Sequence, residues 1–177
     1  MTCIVGIVHN DRVYIGGDSA GTAGWSMTVR ADQKVFINSG FIFGFCGSFR
    51  MGQLLRYAFT PPAMREDTDL FAYMVTDFID AVRECFKQGG FAEKDKEAES
   101  GGFFLVGTQG RLFQIECDYQ VGERLSPWTA TGCGEDIALG ALYATQGRSP
   151  TKRIHMALDA ACEYSAGVRG PYTVLSV

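Results

Sequence analysis

Thr2-Cys3-Ile4-Val5-Gly6-Ile7-Val8, then His9-Asn10-Asp11, then Arg12-Val13-Tyr14-Ile15-Gly16-Gly17-Asp18-Ser19, is the stretch that decides the fold. Two runs rich in β-branched residues flank a polar pair suited to a tight turn, which predicts a β-hairpin with strands over 3–8 and 12–17. The runs are apolar at successive positions, so both faces of these strands are expected to be covered.

Outward from that hairpin, the pattern predicts short strands over 35–38 and 41–45, turned by Ser39-Gly40. From Ser48 the apolar period becomes helical, through Met51, Leu54, Leu55 and Phe59, with Ser48 as N-cap and Pro61-Pro62 as the stop. A longer amphipathic helix is expected over 67–86, with Leu70, Tyr73, Met74, Phe78, Ile79, Val82 and Phe86 on one stripe before Gly89-Gly90. Residues 91–101 are charged and weakly patterned, so they read as an exposed connection with room for a helical turn. Strands follow over 103–107 and 112–117, around Val121 and over 129–131. Helices are expected over 135–145 and 149–165, and a last strand over 172–177. This order is α+β, with antiparallel sheets and separate helical layers, and a four-layer helix–sheet–sheet–helix sandwich covers both faces of the apolar strands. The 177 residues read as one domain, 1–177.

Composition narrows the function. The net charge of −4 comes from scattered lysines, arginines and carboxylates, with no basic stripe for nucleic acid. The six cysteines (Cys3, Cys46, Cys85, Cys117, Cys133, Cys162) are far apart, without a C-x-x-C pair, and only His9 and His155 could join them, so no metal and no cofactor is expected. Thiols in apolar stretches fit a reducing compartment, the cytoplasm. No signal-peptide pattern and no run of membrane-spanning length is present in the sequence, so a soluble protein without a membrane partner is expected. The run Gly16-Gly17-Asp18-Ser19-Ala20-Gly21 lacks the form of a phosphate loop.

The chemistry centres on Thr2. A threonine hydroxyl needs a base, and a free α-amine with a pKa of about 7.7–8.0 is a suitable one. Removal of Met1, the general expectation when a small residue follows, would give Thr2 that amine. A nearby cation would tune the amine and hydroxyl, and a buried cation needs an anion. Lys34 and Asp18 suit these roles, because they stand at strand ends and Thr2, Asp18 and Lys34 recur every 16 residues. Gly47, just before a predicted helix N-terminus, is placed for anion stabilisation.

With Gly17-Asp18-Ser19, Thr22-Ala23-Gly24, Lys34-Val35 and Gly44-Phe45-Cys46-Gly47-Ser48, the chain resembles, over nearly its whole length, proteasome β subunits and the bacterial proteasome-like peptidase that pairs with a hexameric unfolding ATPase. That resemblance implies an N-terminal-nucleophile hydrolase fold and a threonine endopeptidase that cleaves unfolded polypeptides. It further implies homo-oligomeric stacked rings and a ring ATPase as possible partner. It assigns attack to Thr2, tuning to Lys34, orientation of Lys34 to Asp18, oxyanion binding to the Gly47 N–H, and support of the amine to Ser165. It places Thr22 and Gly47 on walls that hold substrate as an added strand, and Gly21, Asp32, Phe45 and Phe49 near the pocket for the residue preceding the cut, made shallow by two phenylalanines.

Two positions depart from the family pattern: Cys133 stands where a serine is expected, and Cys162 where an aspartate is expected. Thiols are weak hydrogen-bond partners for the amine, so Glu163 or a water would have to substitute. Two other readings stay open. A ring subunit could keep the fold without catalysis, or Cys3 could be the nucleophile, since Cys3-Ile4-Val5-Gly6-Ile7 resembles the start of glutamine amidotransferase domains. Each residue singled out also has an ordinary structural reading: Thr2 in a strand, Asp18 in a turn, Lys34 at a solvated strand end, and His9 and His155 in a strand end and a helix.

Overall fold

The computed structural model describes residues 1–95 and 98–177. Strands β1 (Ile4–His9) and β2 (Arg12–Gly17) pair antiparallel. Their turn places Asn10 and Asp11 at φ 49° and 57°, a left-handed pair whose twist matches the flanking strands. A small hairpin follows, β3 (Ala20–Ala23) with β4 (Ser26–Val29). The sequence reading missed it, because β4 is exposed throughout and carries no buried apolar face to announce a strand.

Strands β5 (Val35–Asn38) and β6 (Phe41–Cys46) lead to helix α1 (Phe49–Tyr57). The Ser48 hydroxyl caps α1 by accepting from the Arg50 and Met51 N–H groups. The expected second helix forms as α2 (Leu70–Tyr73), a π turn (Met74–Phe78) and α3 (Ile79–Gln88), capped by Asp69 and closed at Gly89. Its apolar residues 70, 74, 78, 82 and 86 repeat every four positions. At 3.6 residues per turn each such step drifts by about 40°, and the π turn takes up part of that drift.

After α3 the expected connection is instead a short hairpin, β7 (Glu93–Asp95) with β8 (Ala98–Ser100); Lys96 and Glu97 lie outside the described residues. Then come β9 (Phe103–Thr108), β10 (Arg111–Ile115), β11 (Val121–Glu123) and β12 (Trp128–Thr131). Helices α4 (Glu135–Ala144) and α5 (Pro150–Tyr164) and strand β13 (Thr173–Ser176) complete the order.

One sheet has the order β12-β1-β2-β13 and the other β11-β10-β9-β6-β5, with every pairing antiparallel. Three apolar cores separate four layers. Val5, Ile7 and Ala130 pack on Leu142, Ile154 and Leu158 of the α4–α5 layer. Ile4, Val13 and Ile15 meet Val35, Ile42 and Leu105 between the sheets. Phe43, Phe104 and Phe113 pack on Leu54, Phe78 and Val82 of the α1–α3 layer. This is the expected four-layer α+β sandwich, and strands covered on both faces explain the unbroken apolar runs of β1 and β6. Among the described residues no helix is long and apolar enough to cross a membrane.

The largest core is aromatic. Phe78 stands at its centre, 5.3 Å from Phe59 edge to face, 5.4 Å from Phe41 and 6.4 Å from Phe43. Phe78→Ala is expected to destabilise the fold by about 3–5 kcal/mol in urea unfolding. A cost under about 1 kcal/mol would mean that this layer is not packed as described.

Candidate active site

The pairing of β1 with β2 sets the first element of the site. With Ile4 opposite Gly17, the next pair outward is Cys3 with Asp18. The Asp18 N–H donates to the Cys3 carbonyl at 3.3 Å, and Cys3 N–H returns a bond to Asp18 Oδ1 at 3.0 Å. Asp18 Oδ2 accepts from Ala20 N–H at 2.9 Å and Arg169 N–H at 3.2 Å. This carboxylate is held by backbone donors from three segments.

Lys34 arrives from the other sheet, one residue before β5. Gly17 lets it come close: a Cβ there would stand 2.7 Å from Ile4 Cδ1 and 2.9 Å from Val35 Cγ2. The Lys34 ammonium then donates to Asp18 Oδ1 at 2.9 Å and to Thr2 Oγ1 at 2.8 Å. Thr2, Asp18 and Lys34 are each only 2% exposed, so this is a buried ionic network and not a solvated strand end. Burial pushes the Lys34 pKa below its ordinary value, while the charge and hydrogen bond of Asp18 oppose that shift.

Thr2 itself precedes β1. Its hydroxyl accepts from Lys34 and donates to the Met1 carbonyl, and its N–H donates to Cys133 Sγ at 3.3 Å. With Met1 attached that nitrogen is an amide. Without Met1 it would be an amine next to its own hydroxyl, in reach of a buried cation.

Gly47 follows β6 at φ 87°, a left-handed conformation that favours glycine, and leads into the Ser48 cap of α1. Among the described residues its N–H makes no hydrogen bond. A Cβ on Gly132 would touch both the Thr2 carbonyl and Cys46, so the end of β6 lies beside Thr2. A free N–H at a helix start beside a hydroxyl is suited to a developing anion.

The residues expected around substrate fall on two sides of one ring. Gly21 and Thr22 on β3 line a hollow of about 190 Å³ with Thr28, Arg30 and Phe49. Asp32 and Phe45 line another of about 150 Å³ with Gly52, Arg56 and Phe49. Phe49 divides them, with Phe45 edge-on at 5.7 Å and the Arg30 guanidinium over its ring at 3.9 Å. Arg30 holds Asp32 with two bonds of 2.7 and 2.8 Å, and this pairing lowers the Asp32 pKa. Arg30 was not singled out from sequence; its only signal was an opposite charge two residues on.

Ser165, the C-cap of α5, is not bonded to Thr2 among the described residues; its Oγ lies 3.2 Å from Cys133 Sγ. Cys162 packs at the margin of the core between α5 and the sheet, and Glu163 is exposed. Cys3 is fully buried, and burial, with the Asp18 charge second, pushes its thiol well above the ordinary range. Cys3 as nucleophile would also need Thr2 removed, and the Lys34 ammonium, which is bonded to Thr2 Oγ1 and Asp18 Oδ1, would then lose its contact with the nucleophile.

No protein-family model and no curated protein matches the chain. Solved structures do. Thiobacillus denitrificans BPH in complex with epoxomicin aligns with TM-score 0.80 at 18% identity, covering 99% of this chain and 98% of that one. Eukaryotic HslV from Trypanosoma brucei aligns with TM-score 0.68 at 18% identity, covering 99% and 98%. Anbu (ancestral beta-subunit) from Yersinia bercovieri aligns with TM-score 0.67 at 14% identity, covering 99% and 81%. The fold is that of the proteasome-like N-terminal-nucleophile hydrolases.

Within that fold, the Lys34–Asp18 pair makes a measurable claim. Lys34→Met strands a buried carboxylate and is expected to cost about 3–5 kcal/mol. In a double-mutant cycle with Asp18→Ala, the combined loss should fall short of the sum by about 1–3 kcal/mol in urea unfolding. Additivity within about 0.5 kcal/mol would contradict the pairing.

Proposed function

We propose that the protein is a threonine endopeptidase that cleaves unfolded polypeptides, with Thr2 as nucleophile once Met1 is removed. The observation that carries this reading is the Lys34 ammonium shared between Thr2 Oγ1 at 2.8 Å and Asp18 Oδ1 at 2.9 Å, with all three residues buried. In the proposed cycle the freed α-amine takes the Thr2 hydroxyl proton as Oγ1 attacks the scissile carbonyl. Lys34 steadies the developing alkoxide, Asp18 fixes Lys34, and the Gly47 N–H donates to the oxyanion. The protonated amine then gives its proton to the departing amine of the substrate, leaving an ester on Thr2. A water deprotonated by the same amine hydrolyses that ester.

Substrate is proposed to lie as an added strand against Gly21, Thr22 and Gly47, with the residue before the cut near Asp32, Phe45 and Phe49. That the similar Thiobacillus denitrificans BPH forms a complex with epoxomicin supports ligand binding on this fold. Homo-oligomeric stacked rings, with a ring ATPase as a possible partner, are proposed on the family resemblance of the sequence, and a cytoplasmic setting on its scattered thiols. Tyr57, Phe71 and Val75 are exposed on the α1–α3 layer, which suits a packing surface between subunits. A subunit retained only for structure has less support. A buried lysine–aspartate pair costs desolvation that an apolar pair would avoid, and its ammonium is aimed at the Thr2 hydroxyl.

Hydrolysis of fluorogenic peptides and of unfolded casein tests the reading. Thr2→Ala is expected to lose all turnover above background, and Lys34→Ala at least about 100-fold. Because only the unprotonated amine accepts the hydroxyl proton, kcat/KM should rise with pH. Its acidic limb should lie at or below about 8, the ordinary amine value, since the nearby Lys34 charge lowers it. Undiminished turnover in Thr2→Ala would overturn the proposal.

A further inference from the structure

The thiol of Cys133 stands where the nucleophile needs its base directed. Gly132, at φ 101°, turns the chain after β12 so that Cys133 faces the start of β1. Cys133 Sγ accepts from Thr2 N–H at 3.3 Å and lies 3.5 Å from the Thr2 carbonyl oxygen, to which the thiol donates. Ser165 Oγ is 3.2 Å away on the other side. A thiol has one proton to give and sulfur lone pairs to receive, so one arrangement satisfies all three contacts: S–H to the Thr2 carbonyl, Ser165 O–H to sulfur, and Thr2 N–H to sulfur. A sulfur that takes one N–H of a freed amine turns the nitrogen lone pair away from itself. The Thr2 hydroxyl is the neighbour left to receive it.

We infer that Cys133 is a positioning residue for the Thr2 amine, oriented by Ser165, and that the peptidase works only while this thiol is free. The inference rests on the peptidase reading above and adds to it a residue that the sequence marked only as a departure. It gives Ser165 its role at one remove, through sulfur.

Two features make the thiol a control point as well as a partner. Cys133 is exposed, whereas Cys3 and Cys46, the other thiols beside the site, are buried. Its sulfur also lies against Gly167, where a Cβ would meet both Cys133 Sγ, at 2.9 Å, and the Met1 side chain. A group attached to sulfur removes the S–H that the Thr2 carbonyl accepts and adds bulk to an atom 3.3 Å from the Thr2 nitrogen.

The test uses the mature full-length protein and methyl methanethiosulfonate. The Cys133 thiolate attacks the sulfenyl sulfur, a disulfide to a thiomethyl group forms, and methanesulfinate leaves. Dithiothreitol reverses the step by reducing the disulfide and releasing methanethiol. Cys117 is the other exposed thiol, so the work is done in Cys117→Ser, which is expected to keep wild-type turnover, with peptide mapping to locate the thiomethyl group. Modification at Cys133 should lower peptide turnover at least tenfold and dithiothreitol should restore it. Cys133→Ala should lose about tenfold in kcat, the scale of one hydrogen bond at 1.4 kcal/mol per decade, with KM little changed. It should also displace the acidic limb of the pH profile, which a purely structural role would leave in place. Cys133→Ser should recover most of that loss and resist the reagent. Full thiomethylation of Cys133 with undiminished turnover, or a Cys133→Ala profile that overlays the parent, would overturn the inference while leaving the peptidase reading intact. Absence of Thr2-dependent turnover in the untreated parent would overturn both.

Discussion

A buried ammonium is the constraint on which the rest of the site depends. Lys34 is as buried as the apolar residues around it, and a charge so placed persists only where its partners are fixed. Asp18 is fixed by three backbone N–H groups, from Cys3, Ala20 and Arg169, before Lys34 adds a fourth bond. Those donors belong to the residue before β1, to the start of β3 and to the loop after α5. The anion is thus built by the chain's tertiary fold, and the cation it holds is carried to the Thr2 hydroxyl.

The four layers serve that arrangement. Asp18 extends β2 in one sheet and Lys34 precedes β5 in the other, so the pair bridges two sheets at the end where β1 begins. The core between the sheets, with Ile4, Ile15 and Val35, sets their separation, and the absence of a side chain at Gly17 lets them meet there. The helical layers cover the outer faces of the central strands. Low dielectric then strengthens the contact between Lys34 and Thr2, and also makes an unpaired partner costly.

Much of this was legible in the sequence, for identifiable reasons. The hairpin of β1 and β2, the Ser48 cap and the stripe of 70–86 rest on period and turn chemistry, which act within a few residues. The Thr2, Asp18 and Lys34 set was readable because a threonine nucleophile, a cation and its counter-anion form a chemical necessity, and all three sit at strand ends. The β3–β4 hairpin was not, since its exposed residues have no core to impose alternation. The π turn was hidden because a spacing of four suits a helix locally and drifts only over several turns. Arg30 on the Phe49 ring depends on a contact across 19 residues of chain, and Cys133 between Thr2 and Ser165 on contacts across 131 and 32, which no local pattern encodes.

Thr2 is proposed to act through a free amine and an activated hydroxyl held together. An epoxyketone offers two electrophilic carbons, a ketone carbon for the hydroxyl and an epoxide carbon for the amine, so it reports on both groups at once. The direct measurement is the intact mass of the purified protein before and after such a probe, with Thr2→Ala treated in parallel. The expected result is a chain that lacks Met1 and gains one adduct, absent from the variant. A chain that keeps Met1 and gains no adduct would contradict it, leaving the Lys34–Asp18 network as a feature of the fold without the chemistry.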